Sequence, residues 1–210
     1  MSIAVKTTIF AITSILIGSF ASNARAAVIS FDDAYAVLGD AGNPDSFYTS
    51  QGVTIFGTYF GLAGGVGNGD PGNWHLEGTN GAAFLAINQG TSGSPTFSFD
   101  TPITAGSLDL GVSFRMTIVL QVTGFLGESQ VFQEQVSISD DNENDEGTWE
   151  TFQFSTPVDK LVVQKVGGDF AAFGYGIDNV VAVPEPSATA LLIGAFAFAS
   201  ARRRTRKPSR

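Results

Sequence analysis

The chain has 210 residues, with 25 glycines, 18 phenylalanines, one histidine, no cysteine and a formal net charge of −9. The lack of cysteine rules out disulfides, thiol catalysis and thiolate metal sites, and a single histidine rules out a His-rich zinc centre. The charge is unevenly spread: residues 27–183 carry nineteen acidic side chains against Arg115, Lys160 and Lys165, a net −16. Such a surface repels nucleic acid and anionic lipid headgroups and makes cations the natural counter-partners.

Met1 to Lys6 form a weakly positive head, Ile9 to Ala21 are mostly apolar, and Ala24-Arg25-Ala26 supplies a small-x-small site. This is the pattern of a secretory signal peptide, a short helix in residues 1–26, with Ala24, Ala26 and Ala27 at the cleavage point and the cut after Ala26. A retained N-terminal anchor is the alternative. The short apolar run and its small-residue end argue against it. The general secretion machinery is therefore an expected partner.

Residues 27–183 suit one domain with a core of its own. Val28 to Phe31 reads as a first strand closed by Asp32 and Asp33, and Val53 to Phe56 is an alternating strand reached through Phe47-Tyr48-Thr49. Gly61 to Gly81 is a Gly-rich loop holding the Trp74-His75 pair. Strand signal returns at Ala83 to Ile87, Thr96 to Phe99 and Ser107 to Phe114. Thr117 to Thr123 and Val131 to Ile138 read as a hairpin around Gly124 to Gln130, followed by Glu150 to Phe154, Leu161 to Lys165 and Phe173 to Val183. Nothing in this body shows sustained helical periodicity. The expected fold is all-β, an antiparallel β-sandwich of jelly-roll type.

Three constellations bear on chemistry. Asp140, Asp141, Glu143 and Asp145 lie in a run of hard oxygen ligands suited to calcium, but Asp145 stands where an EF-hand loop begun at Asp140 requires glycine. An acidic solvated turn and a weak calcium site both fit this run, and the failed loop register favours the turn. Asp32 or Asp33 would share a cation with Asp178 if the first and last strands lie side by side; Asp178 would equally cap its own turn. Trp74 and His75, with Tyr59 before them, would offer a ring and polar groups to a sugar, or pack their loop onto the core. Trp149 sits beside Phe152 in an alternating strand and is expected in the core. His75 alone does not make a catalytic triad, no Gly-x-Ser-x-Gly elbow surrounds any serine, and no pair of carboxylates is singled out by spacing. The chain reads as a non-enzyme.

The chain ends with Pro184-Glu185-Pro186, an uncharged run through Ala188 to Ala201, and a basic cluster opening with Arg202, Arg203 and Arg204. The 16 residues between Glu185 and Arg202 would span about 24 Å as a helix. That makes a marginal transmembrane helix, with the basic end held on the cytoplasmic side. A Pro-Glu-Pro triplet, a short apolar helix and a terminal arginine cluster in this order resemble the PEP-CTERM sorting signal of exported Gram-negative proteins. That resemblance covers residues 184–210. It implies recognition of Pro184, Glu185 and Pro186 by an exosortase, an inner-membrane-anchored precursor, removal of the tail, and delivery to the cell surface or extracellular matrix. It also implies an association with exopolysaccharide and biofilm. A plain C-terminal anchor with the triplet as linker is the alternative. The segment Ile177-Asp178-Asn179-Val180 is similar to the last strand of lectin-like jelly rolls. The expected function is thus an exported surface or matrix protein that binds polysaccharide, with or without calcium. A structural matrix protein without a discrete ligand is the second reading, and a secreted hydrolase the third.

Overall fold

Short apolar–polar alternations become strands here because each places one row of side chains in a shared core and leaves the other row to solvent. The computed structural model of the chain describes residues 26–39, 41–59, 61–64, 83–87, 93–112, 116–140, 147–169 and 174–184. Within the unit Ala26–Pro184 the strands are β1 (Ala27–Ile29), β2 (Val53–Phe56), β3 (Gly61–Gly64), β4 (Ala83–Ile87), β5 (Thr96–Val112), β6 (Thr117–Leu126), β7 (Ser129–Ser139), β8 (Thr148–Phe154), β9 (Val158–Gly168) and β10 (Tyr175–Pro184). All their pairings are antiparallel.

The register of β5 shows how one long strand makes two layers. Its first part, Thr96 to Phe99, pairs with β2 on one side and β9 on the other. Its last part pairs with β10 and β8. The ladder to β9 is broken between Ser98 and Ile103, and a strand that changes sheets at such a break forms a corner of a sandwich. One layer therefore reads β3-β4-β10-β5-β8, with β1 on β10, and the other β2-β5-β9-β6-β7. The inner faces meet in one core containing Phe31, Tyr48, Phe97, Leu108, Ile118, Leu120, Val163 and Ile177, all essentially inaccessible. The Tyr175 hydroxyl of β10 donates across the layers to the Val163 carbonyl of β9, 3.2 Å away, and lies equally near the Gly93 carbonyl. Phe132 of β7 meets Phe154 and Phe152 of β8 at centroid distances of 5.7 and 6.1 Å. The fold is an all-β antiparallel sandwich.

Three expectations are corrected. Residues Asp32–Leu38 form a helix, α1, where only a strand end was expected. At seven residues it is too short for apolar periodicity to register, and its two leading carboxylates suit the positive end of the helix dipole. A 3-10 turn at Thr49–Gln51 leads into β2. Gly61–Gly64, taken for loop, is strand β3, whose register to β4 supplies the order that its sequence does not show. The segments Thr96 to Phe99 and Ser107 to Phe114, expected as two strands, fall on the single bent β5 as far as Val112, and 113–114 lie outside the described residues. No helix among the described residues is long and apolar enough to cross a membrane. The expected signal helix and the apolar run 188–201 lie outside the described residues.

Candidate functional site

Trp74, His75, Asp141, Glu143, Asp145, Ala24, Glu185, Pro186 and Arg202 to Arg204 lie outside the described residues. Tyr59, the described member of the loop trio, donates its hydroxyl to the Asp45 carboxylate and lies 2.7 Å from the Asn43 side-chain oxygen. It ties down the loop ahead of β2. Asp140 is buried, its carboxylate accepting from the Thr148 hydroxyl at 3.2 Å while its amide donates to the Met116 carbonyl. Ala26 precedes β1, Ala27 pairs with Ala182, and Pro184 is the last residue of β10.

The first and last strands do lie side by side, β1 on β10. Asp33 accepts the Tyr48 hydroxyl at 2.7 Å and the Ala34 amide at 2.9 Å, whereas Asp32 accepts the Ala83 amide of β4 at 3.0 Å. Asp178 is wholly buried and accepts the amide of the next residue, Asn179, at 2.7 Å. Asn179 holds φ at +50°, a left-handed geometry that asparagine tolerates better than most residues. Directly across the ladder stands Asp109, which accepts the Thr151 hydroxyl at 2.6 Å and the Asn179 side-chain amide at 3.1 Å. Among the described residues no three metal-capable side chains gather.

This acidic row occupies the outer face of the β3–β8 layer, and so does Trp149. The expectation that Trp149 joins the core is corrected: Phe152 takes the inward position, while Trp149 packs on the opposite face with Ala63, Phe84 and Ala86. Its ring meets Phe84 edge-on at 5.8 Å. The indole lies against Gly111, where a Cβ would come within 2.7 Å of the ring. Phe84 and Ala86 are buried as well. The outer face of this layer is thus a second, smaller core.

The outer face of the other layer differs. Leu120 and Val122 of β6, Ile138 of β7, and Leu161 and Val163 of β9 point inward and are buried. Alternation therefore turns Val119, Gln121, Thr123 and Phe125, Gln133, Gln135 and Ser137, and Lys160, Val162 and Gln164 outward. Gln164 stands opposite Gln121, and Gln121 opposite Gln135, so three glutamines form one row across three strands. At about 4.8 Å per strand the row covers about 10 Å, and Gln133 continues it on β7 about 7 Å along. Phe125 flanks the row with the Lys160 ammonium 4.4 Å from its ring centroid, within the reach of a cation–π contact. Phe56 of β2, 45% exposed, lies on the same face opposite Thr96.

Each glutamine offers two donors and one acceptor oxygen, and the neighbouring Ser and Thr hydroxyls do both. No carboxylate occupies an outward position of β6, β7 or β9. In a body of net charge −16 this is an amide-lined surface with aromatic groups and one cation, Lys160, at its margin. It can exchange hydrogen bonds with a polyhydroxylated chain without displacing a counterion. Sequence inspection finds these strands but passes over their polar rows, because alternate polar residues are also what any solvated sheet face requires. The available signal is glutamine recurring at outward positions where Asp, Glu or Lys would serve solubility better.

No protein-family model matches the chain, and no curated protein matches it. Among solved structures it is similar to a mutant of the carbohydrate-binding module CBM29-2, at 18% identity over 76% of this chain and 91% of that one, with a TM-score of 0.37. It is also similar to the K3 cleaved adhesin domain of Lys-gingipain from Porphyromonas gingivalis w83, at 12% identity over 75% and 98% of the two chains, TM-score 0.37. A third is a family 16 carbohydrate-binding module, at 15% identity over 49% and 77%, TM-score 0.33. At these scores the likenesses assign neither a family nor a ligand to this chain.

Proposed function

We propose that this protein is an exported, jelly-roll-like glycan-binding protein of a Gram-negative cell surface or extracellular matrix, delivered by its signal peptide and by exosortase processing at Pro184, Glu185 and Pro186. The observation that carries the binding part is the in-register glutamine row Gln164-Gln121-Gln135, set where β6, β7 and β9 turn no carboxylate outward. Amides on rigid strands lose little freedom on binding and match hydroxyls in both donor and acceptor sense. An uncharged polysaccharide fits better than a polyanionic one, which the surrounding charge would repel. Phe56 and Phe125 supply flat apolar surface for sugar rings. The reading is of a binding protein and not an enzyme.

The test is a glycan array and the host's own exopolysaccharide probed with the full-length protein, with and without calcium. Saturable binding to neutral glycans is expected. Each of Gln121→Ala and Gln164→Ala should weaken it by about 1 kcal/mol, roughly fivefold. Binding that ignores both substitutions, or no binding at all, refutes the reading. In the native host, unchanged tail processing after Pro184→Ala and Pro186→Ala would refute the sorting assignment.

A further inference from the structure

The free edge of the β2–β7 layer is β7. Strand order ends there: among the described residues β7 pairs only with β6. It is eleven residues long, and eight of them are exposed. Edge strands are usually defended against pairing by lysine and other charges, inward-pointing ones included, by proline, by shortness or by bulges, and of these β7 carries one charge, Glu134, and one bulge. The β7 sequence Ser129-Gln130-Val131-Phe132-Gln133-Glu134-Gln135-Val136-Ser137-Ile138-Ser139 has neither lysine nor proline. Its one irregularity lies near its start, opposite Gly124 and Phe125. Beneath it Phe132 rests on Phe152 and Phe154.

We infer that β7 pairs antiparallel with β7 of a second copy of this chain about a twofold axis at Gln135, so that the two sheets and their glutamine rows become continuous. A twofold contact must be self-complementary, and the sequence selects the register. Centring on Glu134 would set two carboxylates face to face, which disfavours pairing. Centring on Gln135 instead places Glu134 opposite the partner's Val136, Gln133 opposite the partner's Ser137, and Phe132 opposite the partner's Ile138. The initial irregularity then falls at the margin of the ladder. The row Gln164-Gln121-Gln135 runs on into its symmetry mate as six amides over six strands. Charge points to the same edge: two bodies of net −16 approach at least cost where carboxylates are sparse, and β7 brings one, Glu134. The inference does not depend on glycan binding.

Because the chain has no cysteine, the register can be read by cross-linking the full-length protein. Residues directly opposite in an antiparallel pair lie about 4.5–5.5 Å apart at Cα, inside the disulfide range. The Gln135→Cys variant is expected to give a covalent dimer on mild oxidation. Gln133→Cys, whose two copies would be about 14 Å apart along the strands, is expected to stay monomeric in reducing-agent-free gels. In sedimentation velocity the wild type should be dimeric and Gln135→Lys monomeric, the variant still unfolding cooperatively at a melting temperature that, unlike the wild type's, does not depend on protein concentration. A dimer that survives Gln135→Lys overturns the inference. So does a wild-type monomer at 100-fold the concentration used for glycan binding, or cross-linking by Gln133→Cys and not by Gln135→Cys. Glycan binding by a proven monomer would leave the proposed function standing and remove only this pairing.

Discussion

Two tyrosines should set the alkaline limit of stability. Tyr175 is buried between the layers, and burial holds its hydroxyl well above the ordinary tyrosine value. Tyr48 is inaccessible too, and burial, followed by its hydrogen bond to the Asp33 carboxylate, raises it in the same direction. Below about pH 10 both phenols are neutral in folded and unfolded chains, so pH has no leverage through them. Above it the unfolded chain releases both protons while the folded chain keeps them, so stability falls as pH rises. The slope is about 1.4 kcal/mol per pH unit for each tyrosine, or about 2.7 for the pair. Lys165 acts in the opposite sense over a lower window. Burial lowers its pKa, against the pull of Asp169, so its contribution to stability rises with pH and ends by about pH 10.4. The assay is urea unfolding of the full-length protein between pH 8 and 11.5. Tyr175→Phe should halve the slope above pH 10, and Tyr48→Phe with Tyr175→Phe should abolish it. At neutral pH Tyr175→Phe should cost about 1 kcal/mol for the lost inter-layer hydrogen bond. A slope above pH 10 that is the same in the double variant and the wild type would refute the burial argument.

Phe97→Ala, in the shared core beside the β5 corner, should lower stability by about 3–5 kcal/mol, read as a shift of the urea midpoint at constant m-value. Gly111→Val would drive a side chain into the Trp149 indole. It should cost about 1–3 kcal/mol and shift tryptophan emission toward that of exposed indole, whereas Gly127→Ala, with no neighbour within 4 Å but φ at +61°, should cost about 1–2 kcal/mol in backbone strain and leave emission unchanged. Substituting Asp109→Asn, which keeps an acceptor for Thr151, should disturb stability far less than Asp109→Leu, which leaves the Thr151 and Asn179 donors without it.

Legibility in the sequence followed the range of the forces involved. Strands β2 and β8 could be read because their alternation is local: Val53 and Ile55 face in, Thr54 and Phe56 face out; β4 could be read as a short apolar run, buried on both faces. The turn Gly127-Glu128 between β6 and β7 was bracketed by its glycine. Helix α1 escaped because about two turns carry too few apolar positions to define a face. Trp149 was misplaced because alternation says that Trp149 and Phe152 oppose each other without saying which is inward. That choice was made by Gly111 and Phe84, whose surfaces fit an indole on the outer side.

The candidate face shows the same division. Its residues were visible singly, as polar positions in good strands, but a row exists only through register. Gln164 and Gln121 are 43 positions apart and become neighbours when β9 pairs with β6. What the sequence determined by itself was the local pattern: short strands, an acidic body, an oily interior rich in phenylalanine, and the two terminal stretches that read as addresses. Only the tertiary structure decided that β5 turns a corner and serves both layers, that Asp178 faces Asp109, and that three distant glutamines line up across β9, β6 and β7. The physical reason is that burial and alternation act along a few residues, whereas strand register is set by hydrogen bonds between segments that have no relation in sequence.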